Sequence, residues 1–250
     1  MSAARICPSR PLGRAFFRRA PEQVAPDLLG QLVVRQTGGR RIVGRIVEVE
    51  AYQGQLDPAA HAFRGKTRRN ATLFGPPGHA YVYTSYGLHQ CLNVSTQPAG
   101  QAGCVLIRGL EPWPPAPPVL RWLQARAPAR DQRRLLSGPG RLCRALAIGR
   151  DWDGADLTTP GGLWLAAGPA PRRIAVTRRI GIQKAVERPL RFYDLESAAV
   201  SGRRGPVVML LSGGRGRWRI AGAAAPPRHS ALPGAVRGSH LARRPGGAAT

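Results

Sequence analysis

Apolar and polar positions alternate through the first half of the chain. RIVGRIVEVEAY (residues 41–52) carries the alternation furthest and predicts a long β-strand. HAYVYTSYGLHQCLNVS (79–95) reads as two strands that meet at Tyr86-Gly87, a hairpin tip. AGCVLIRGLEP (102–112) is a further strand, and APDLLGQLVV (25–34) a short helix capped near Asp27 that leads into one. RDQRRLLSGPGRLCRALAIG (130–149) predicts two helical pieces broken at Gly138-Pro139-Gly140, and EPWPPAPP (111–118) excludes regular helix and central strand. Short hairpin-linked strands with helices between and after them predict an α+β fold. The expectation is a single domain with a curved, mostly antiparallel, open-barrel-like sheet packed by helices. The domain should span residues 11–220, after a flexible N-terminus (1–10). Residues 221–250, rich in Ala, Pro, Gly and Arg, are expected to form a disordered basic tail.

Composition adds a partner. The 250 residues carry 38 Lys and Arg against 13 Asp and Glu, a formal charge of +25. That excess points to a polyanion, nucleic acid before an anionic membrane surface. Almost all of it is Arg, which suits bidentate phosphate contact. Lys66 and Lys184 are the only lysines, so a Schiff-base mechanism has few candidate amines. No apolar run approaches the ~18 residues of a membrane helix. The four cysteines form no CxxC pair, which predicts a cytoplasmic, reduced protein. His79, His89 and Cys91 lack an evident fourth ligand, so no metal is expected, and no glycine-rich motif calls for a nucleotide cofactor.

Four segments could carry chemistry. A period of two puts Ile46, Glu48, Glu50 and Tyr52 on one strand face and Val47, Val49 and Ala51 on the other. Two carboxylates and an aromatic together are candidate machinery, though a solvated, salt-bridged face would look alike. In the hairpin, Tyr81, Tyr83 and Ser85 share one face, and Tyr86 should project from the tip as a wedge for a base stack. Core tyrosines with hydroxyls at the rim would fit the same pattern. HAFRGKTRRNATLFGPPG (61–78) gathers Arg64, Lys66, Thr67, Arg68 and Arg69 in a loop fit for phosphate contact. Arg108, alone in an apolar strand, needs a carboxylate such as Glu50, or a phosphate.

Taken together, VEVEAYQGQLDPAAH, YVYTSYGLHQCLN, CVLIRGLEP, LSGPGRLCRALAI and ERPLRFY resemble the 3-methyladenine (alkylpurine) DNA glycosylases of the alkyladenine glycosylase type. The resemblance runs from about Phe16 to Asp194. It implies a monofunctional, base-flipping enzyme acting on double-stranded DNA with damaged purines, as a monomer without cofactor, associated with the nucleoid. The implied general base is Glu50, and Arg108 would position the water or the target phosphate. Tyr52, His61 and Tyr83 would sandwich the flipped base, with Asn93 at the pocket wall and a backbone carbonyl at Ile180 as a further water contact. Tyr86, with Leu88 beside it, would fill the gap in the duplex. The general acid for a neutral purine stays open between His61 and bulk water. A lyase step is not expected, because neither lysine falls in the pocket motifs. Two other readings share the charge and the hairpin: a non-catalytic minor-groove protein with a tyrosine wedge, and an RNA-binding module.

Overall fold

The computed structural model describes residues 10–213 and 218–220. The expected tail, and all but the last residue of the expected flexible N-terminus, lie outside them. In chain order come α1 (Arg14–Phe17), α2 (Pro21–Leu28), β1 (Leu32–Thr37), β2 (Arg40–Tyr52), β3 (Ala80–Ser85), β4 (His89–Ser95) and β5 (Cys104–Pro112). They are followed by α3 (Pro117–Arg126), α4 (Pro139–Ala145), β6 (Leu163–Ala166), β7 (Arg173–Thr177), β8 (Arg191–Asp194), β9 (Met209–Ser212) and β10 (Arg219–Ile220).

The strands form one antiparallel sheet, ordered β10-β9-β7-β8-β2-β5-β4-β3, with β1 and β6 branching off β2. It does not close into a barrel, and the α+β expectation holds. β2 is the spine. Residues 40–45 pair with β1, residues 48–50 with β8, and β5 runs beside it from Gly44 to Tyr52. One face of the sheet is the apolar core. Ile46, Val49 and Ala51 of β2, Val82 of β3, Leu92 of β4 and Val105 and Ile107 of β5 meet there. Helices α2 and α4 close over that face against β2, β4 and β5.

Strict alternation along β2 is corrected by the structure. The β2–β5 register shifts between Ile46 and Glu48, and again between Glu48 and Val49. The extra step turns the strand over, as a β-bulge does. Ile46 therefore shares the core face with Val49 and Ala51, not the face of Glu48 and Glu50. Opposite Glu48 stands Gly109, where a Cβ would come within 3.3 Å of a Glu48 carboxylate oxygen. A side chain at this position would crowd the carboxylate and the Ala199 carbonyl.

The helices also differ from expectation. α2 starts at Pro21, so Asp27 lies at its far end instead of capping it. Asp27 accepts from Arg19 at 2.8 Å and from the Trp218 indole N–H at 2.9 Å. The proline-rich stretch is divided between two elements: Glu111 and Pro112 end β5, and Pro117 opens α3, where its missing N–H costs nothing. The first predicted helical piece is only the three-residue turn Gln132–Arg134, and α4 starts at Pro139, directly after Gly138 at φ 107°.

Candidate active site

The face opposite the core is the chemical one. Alternate residues of four strands line a cavity of about 770 Å³: Tyr52 from β2, Tyr81 and Tyr83 from β3, Cys91 and Asn93 from β4, and Leu106 and Arg108 from β5. Period-two strands deliver this set because every second side chain points the same way. His61, Ile180 and Tyr86 join from loops and the hairpin turn.

Behind the cavity wall lies Glu50, fully buried. Its Oε1 accepts the Ile180 N–H at 2.9 Å, and its Oε2 accepts the Tyr52 hydroxyl at 2.9 Å and Arg108 Nη1 at 3.3 Å. A carboxylate offers about four acceptor positions, so one is left over. Glu48, equally buried, accepts from Arg108 Nε at 3.3 Å, Arg191 Nε at 2.8 Å and the Ser201 N–H at 2.6 Å. The two glutamates are therefore salt-bridged to arginines, as that alternative had it, but they are buried and not solvated. Arg108 bridges both carboxylates. Burial works against its charge, but Glu50 and Glu48 outweigh that and raise its pKa. The Tyr52 phenol is pushed well above its ordinary pKa by burial and by the neighbouring Glu50 charge, so it stays a neutral donor.

The aromatic group is tightly joined. His61 and Tyr83 meet edge to face with centroids 4.4 Å apart, and Tyr81 stacks on Tyr83 at 5.6 Å. His61 Nδ1 is 2.9 Å from the Tyr81 hydroxyl. Partial desolvation at the cavity wall, then the charge of Arg69, lowers the His61 pKa. Replacing Arg69 with Ala removes a like charge and should raise the His61 pKa. An NMR pH titration of the imidazole checks this, and an unchanged midpoint contradicts it. Asn93 is buried, its amide N–H₂ donating to the Tyr81 carbonyl at 3.0 Å.

Three further residues escaped the sequence reading. Arg179 and Asp57 form a fully buried ion pair, with Arg179 Nη2 2.9 Å from Asp57 Oδ1. The Arg179 guanidinium lies 4.6 Å from the centre of the Tyr52 ring and donates to the Ala51 carbonyl at 3.0 Å. It thus holds both the strand end and the aromatic wall. Arg191 carried a readable signal, a charge inside the apolar RFYD strand like that of Arg108. Asp57 and Arg179 sit in loops far apart in sequence, where no periodicity pairs them.

Tyr86 and Leu88 stand out at the hairpin turn, 84% and 80% exposed. Tyr86 adopts φ 48°, a left-handed conformation uncommon for a bulky residue. In the 61–78 segment, Arg64, Lys66, Arg68 and Arg69 are exposed as expected. Thr67 is committed locally, however. It caps the 3₁₀ helix Arg68–Phe74 in a reciprocal pair with Asn70, so the segment is not a plain loop. The lysine expectation also needs correction: Lys184 lines the cavity, from the exposed 181–187 stretch. Among the described residues, no cluster of His, Cys, Asp or Glu could hold a metal ion, and no helix is long and apolar enough to cross a membrane.

A buried glutamate thus lies behind an aromatic, cationic cavity, with an exposed tyrosine at its rim. The family model for methylpurine-DNA glycosylase matches residues 15–198, and the chain belongs to that family. A relative from Koribacter versatilis, named "Putative 3-methyladenine DNA glycosylase", is 49% identical over 198 residues, covering 78% of this chain and 94% of its own. Relatives of the same name from Methanocella arvoryzae and Carboxydothermus hydrogenoformans are 46% and 47% identical. They cover 77% and 76% of this chain, and 96% and 98% of their own.

Proposed function

We propose that the protein removes alkylated purines from duplex DNA by hydrolysis, leaving an abasic site. The observation that carries this reading is Glu50, a buried carboxylate whose partners Tyr52, Arg108 and Ile180 all line the cavity. A purine glycosidic bond breaks through an oxocarbenium-like state. A carboxylate beside C1′ stabilises that charge and takes a proton from the attacking water. The water oxygen bonds to C1′, the C1′–N bond breaks, and its electron pair leaves with the purine. A base already alkylated at N3 or N7 is cationic and leaves neutral. Glu50 is buried, and its leftover acceptor position is the candidate site for the attacking water. The Ile180 carbonyl is a candidate second partner for that water.

Selectivity in this reading has several sources. Electron-rich tyrosine faces attract a cationic base by roughly 0.5–2 kcal/mol. Damaged pairs also flip at lower cost. A neutral purine such as hypoxanthine or ethenoadenine needs a proton on its leaving group. His61 at the cavity wall and water are the two candidate sources of it. Asn93 is fixed where it can oppose an exocyclic amino group.

Tyr86 fills the vacated stack, with Leu88 beside it. Replacing Tyr86 with Ala should lower kcat/KM on lesion duplexes about tenfold, the size of a lost stacking contact of ~1–3 kcal/mol. Its exposure predicts an unchanged Tm. Single-turnover excision and a thermal melt check both, and full activity in the variant contradicts the wedge. Because Lys184 reaches the cavity, hydrolysis and a lyase step are separated by experiment: trapping with borohydride should yield no covalent protein–DNA adduct.

A further inference from the structure

A second cavity of about 500 Å³ adjoins the first. Arg108, Gly138, Pro139 and Arg141 line both, so the two share a wall. Arg130 and Arg134 add two exposed guanidiniums. The one acid there, Asp131, is taken up by Arg133 at 3.0 Å. The cavity therefore has a surplus of positive charge that no protein carboxylate meets.

Two of its residues also carry unmet hydrogen-bonding capacity. The hydroxyls of Ser137 and Ser201 are buried and have no partner. Ser201 is only 5% exposed, and its backbone is pinned, the N–H to Glu48 at 2.6 Å and the carbonyl to Arg191 at 3.0 Å. Ser137 is held by its N–H on the Arg134 carbonyl at 3.1 Å. A buried hydroxyl without a partner is uncommon, and two beside one cationic cavity leave donors that an anion could take.

We infer that this second cavity seats a phosphodiester of the DNA strand that delivers its base to the first cavity. The inference rests on the duplex-DNA reading above and adds to it a phosphate site apart from the 61–78 segment. Arg130 and Arg134 supply charge, Ser137 and Ser201 line the cavity with unspent hydroxyl donors, and the shared Arg108 wall sets the phosphate beside the flipped nucleotide. Phosphate oxygens are strong acceptors and favour Arg forks of this kind. The seat also links binding to chemistry. Ser201, whose hydroxyl faces the missing acceptor problem, holds Glu48 through its N–H, and Glu48 holds Arg108.

The test is duplex binding by the Arg130→Ala/Arg134→Ala variant across a salt series. Losing one phosphate contact should reduce the slope of log K against log salt by about one and weaken binding about tenfold at moderate salt. Arg172→Ala/Arg173→Ala, which removes the same charge elsewhere on the surface, should keep the wild-type slope. Equal changes in the two variants overturn the site. Ser201→Ala gives an independent readout: a several-fold loss of duplex affinity at unchanged Tm supports the seat, and unchanged affinity overturns it. Inorganic phosphate, compared with chloride at equal ionic strength, separates the sources. If it raises the wild-type Tm while Arg130→Ala/Arg134→Ala binds duplex normally, the cavity takes free anion and the DNA assignment falls. If wild type releases no base while Arg130→Ala/Arg134→Ala still lowers the slope, the excision reading falls and this site stands.

Discussion

Replacing Glu50 with Gln is expected to reduce single-turnover base excision by about 10²–10⁴-fold, the usual contribution of a positioned general base. Binding to the same lesion duplex should persist. The glutamine carbonyl can still accept the Ile180 N–H, and its amide can face a Tyr52 hydroxyl turned to accept. The main casualty inside the protein is the contact to Arg108, which keeps Glu48 as a partner. The Tm should therefore drop less than the activity suggests. A non-catalytic protein that wedges Tyr86 into a groove predicts otherwise. An acid near DNA weakens binding, so its neutral replacement would bind equally or more tightly, with no activity to lose. Parallel measurements of excision and lesion-duplex affinity on wild type and Glu50→Gln separate the two.

Glu48, two residues away, should behave in the opposite manner. It is fully buried, and Arg191, also fully buried, depends on it for charge. Glu48→Gln removes the anion and leaves Arg191 with the backbone carbonyls of Ser201, Arg203 and Arg204. Breaking one side of a buried pair costs about 3–5 kcal/mol. In a domain of this size that is a Tm loss on the order of 10 °C. The folded fraction should still excise, with a modest loss through the slackened Arg108. A thermal melt with activity normalised to folded protein checks this. Little change in Tm together with complete loss of excision would make Glu48 the chemical residue and undo the division of labour between the two glutamates.

The contrast shows how far sequence alone reached. Alternation in β3 and β4 placed Tyr81 and Tyr83 on one face and Val82 on the other, because an unbroken hairpin keeps strict two-residue periodicity. The same logic failed at Ile46, where the bulge adds a residue and reverses the face. Such a shift depends on how β2 pairs with β5, and β5 lies some fifty residues downstream. Proline in 111–118 reads as a breaker and not as a helix starter, since only the fold shows that Pro117 occupies a first turn. Glu50, Arg108 and the tyrosines were legible from composition, face and resemblance. Their support was not: Asp57 and Arg179 act by long-range burial that neither spacing nor charge pattern pairs, and Arg191, though visible as a cation within a strand, gives no sign of its partner Glu48. Lys184 reached the cavity for the same reason, through the path of a loop that periodicity does not describe.

The central claim is hydrolytic release of an alkylated purine. The most direct measurement is single-turnover incubation of the protein with a duplex bearing one methylated adenine, analysed with and without alkali. The account predicts free base and strand cleavage only after alkali. No base release from a duplex that is nonetheless tightly bound, or cleavage without alkali, would contradict it.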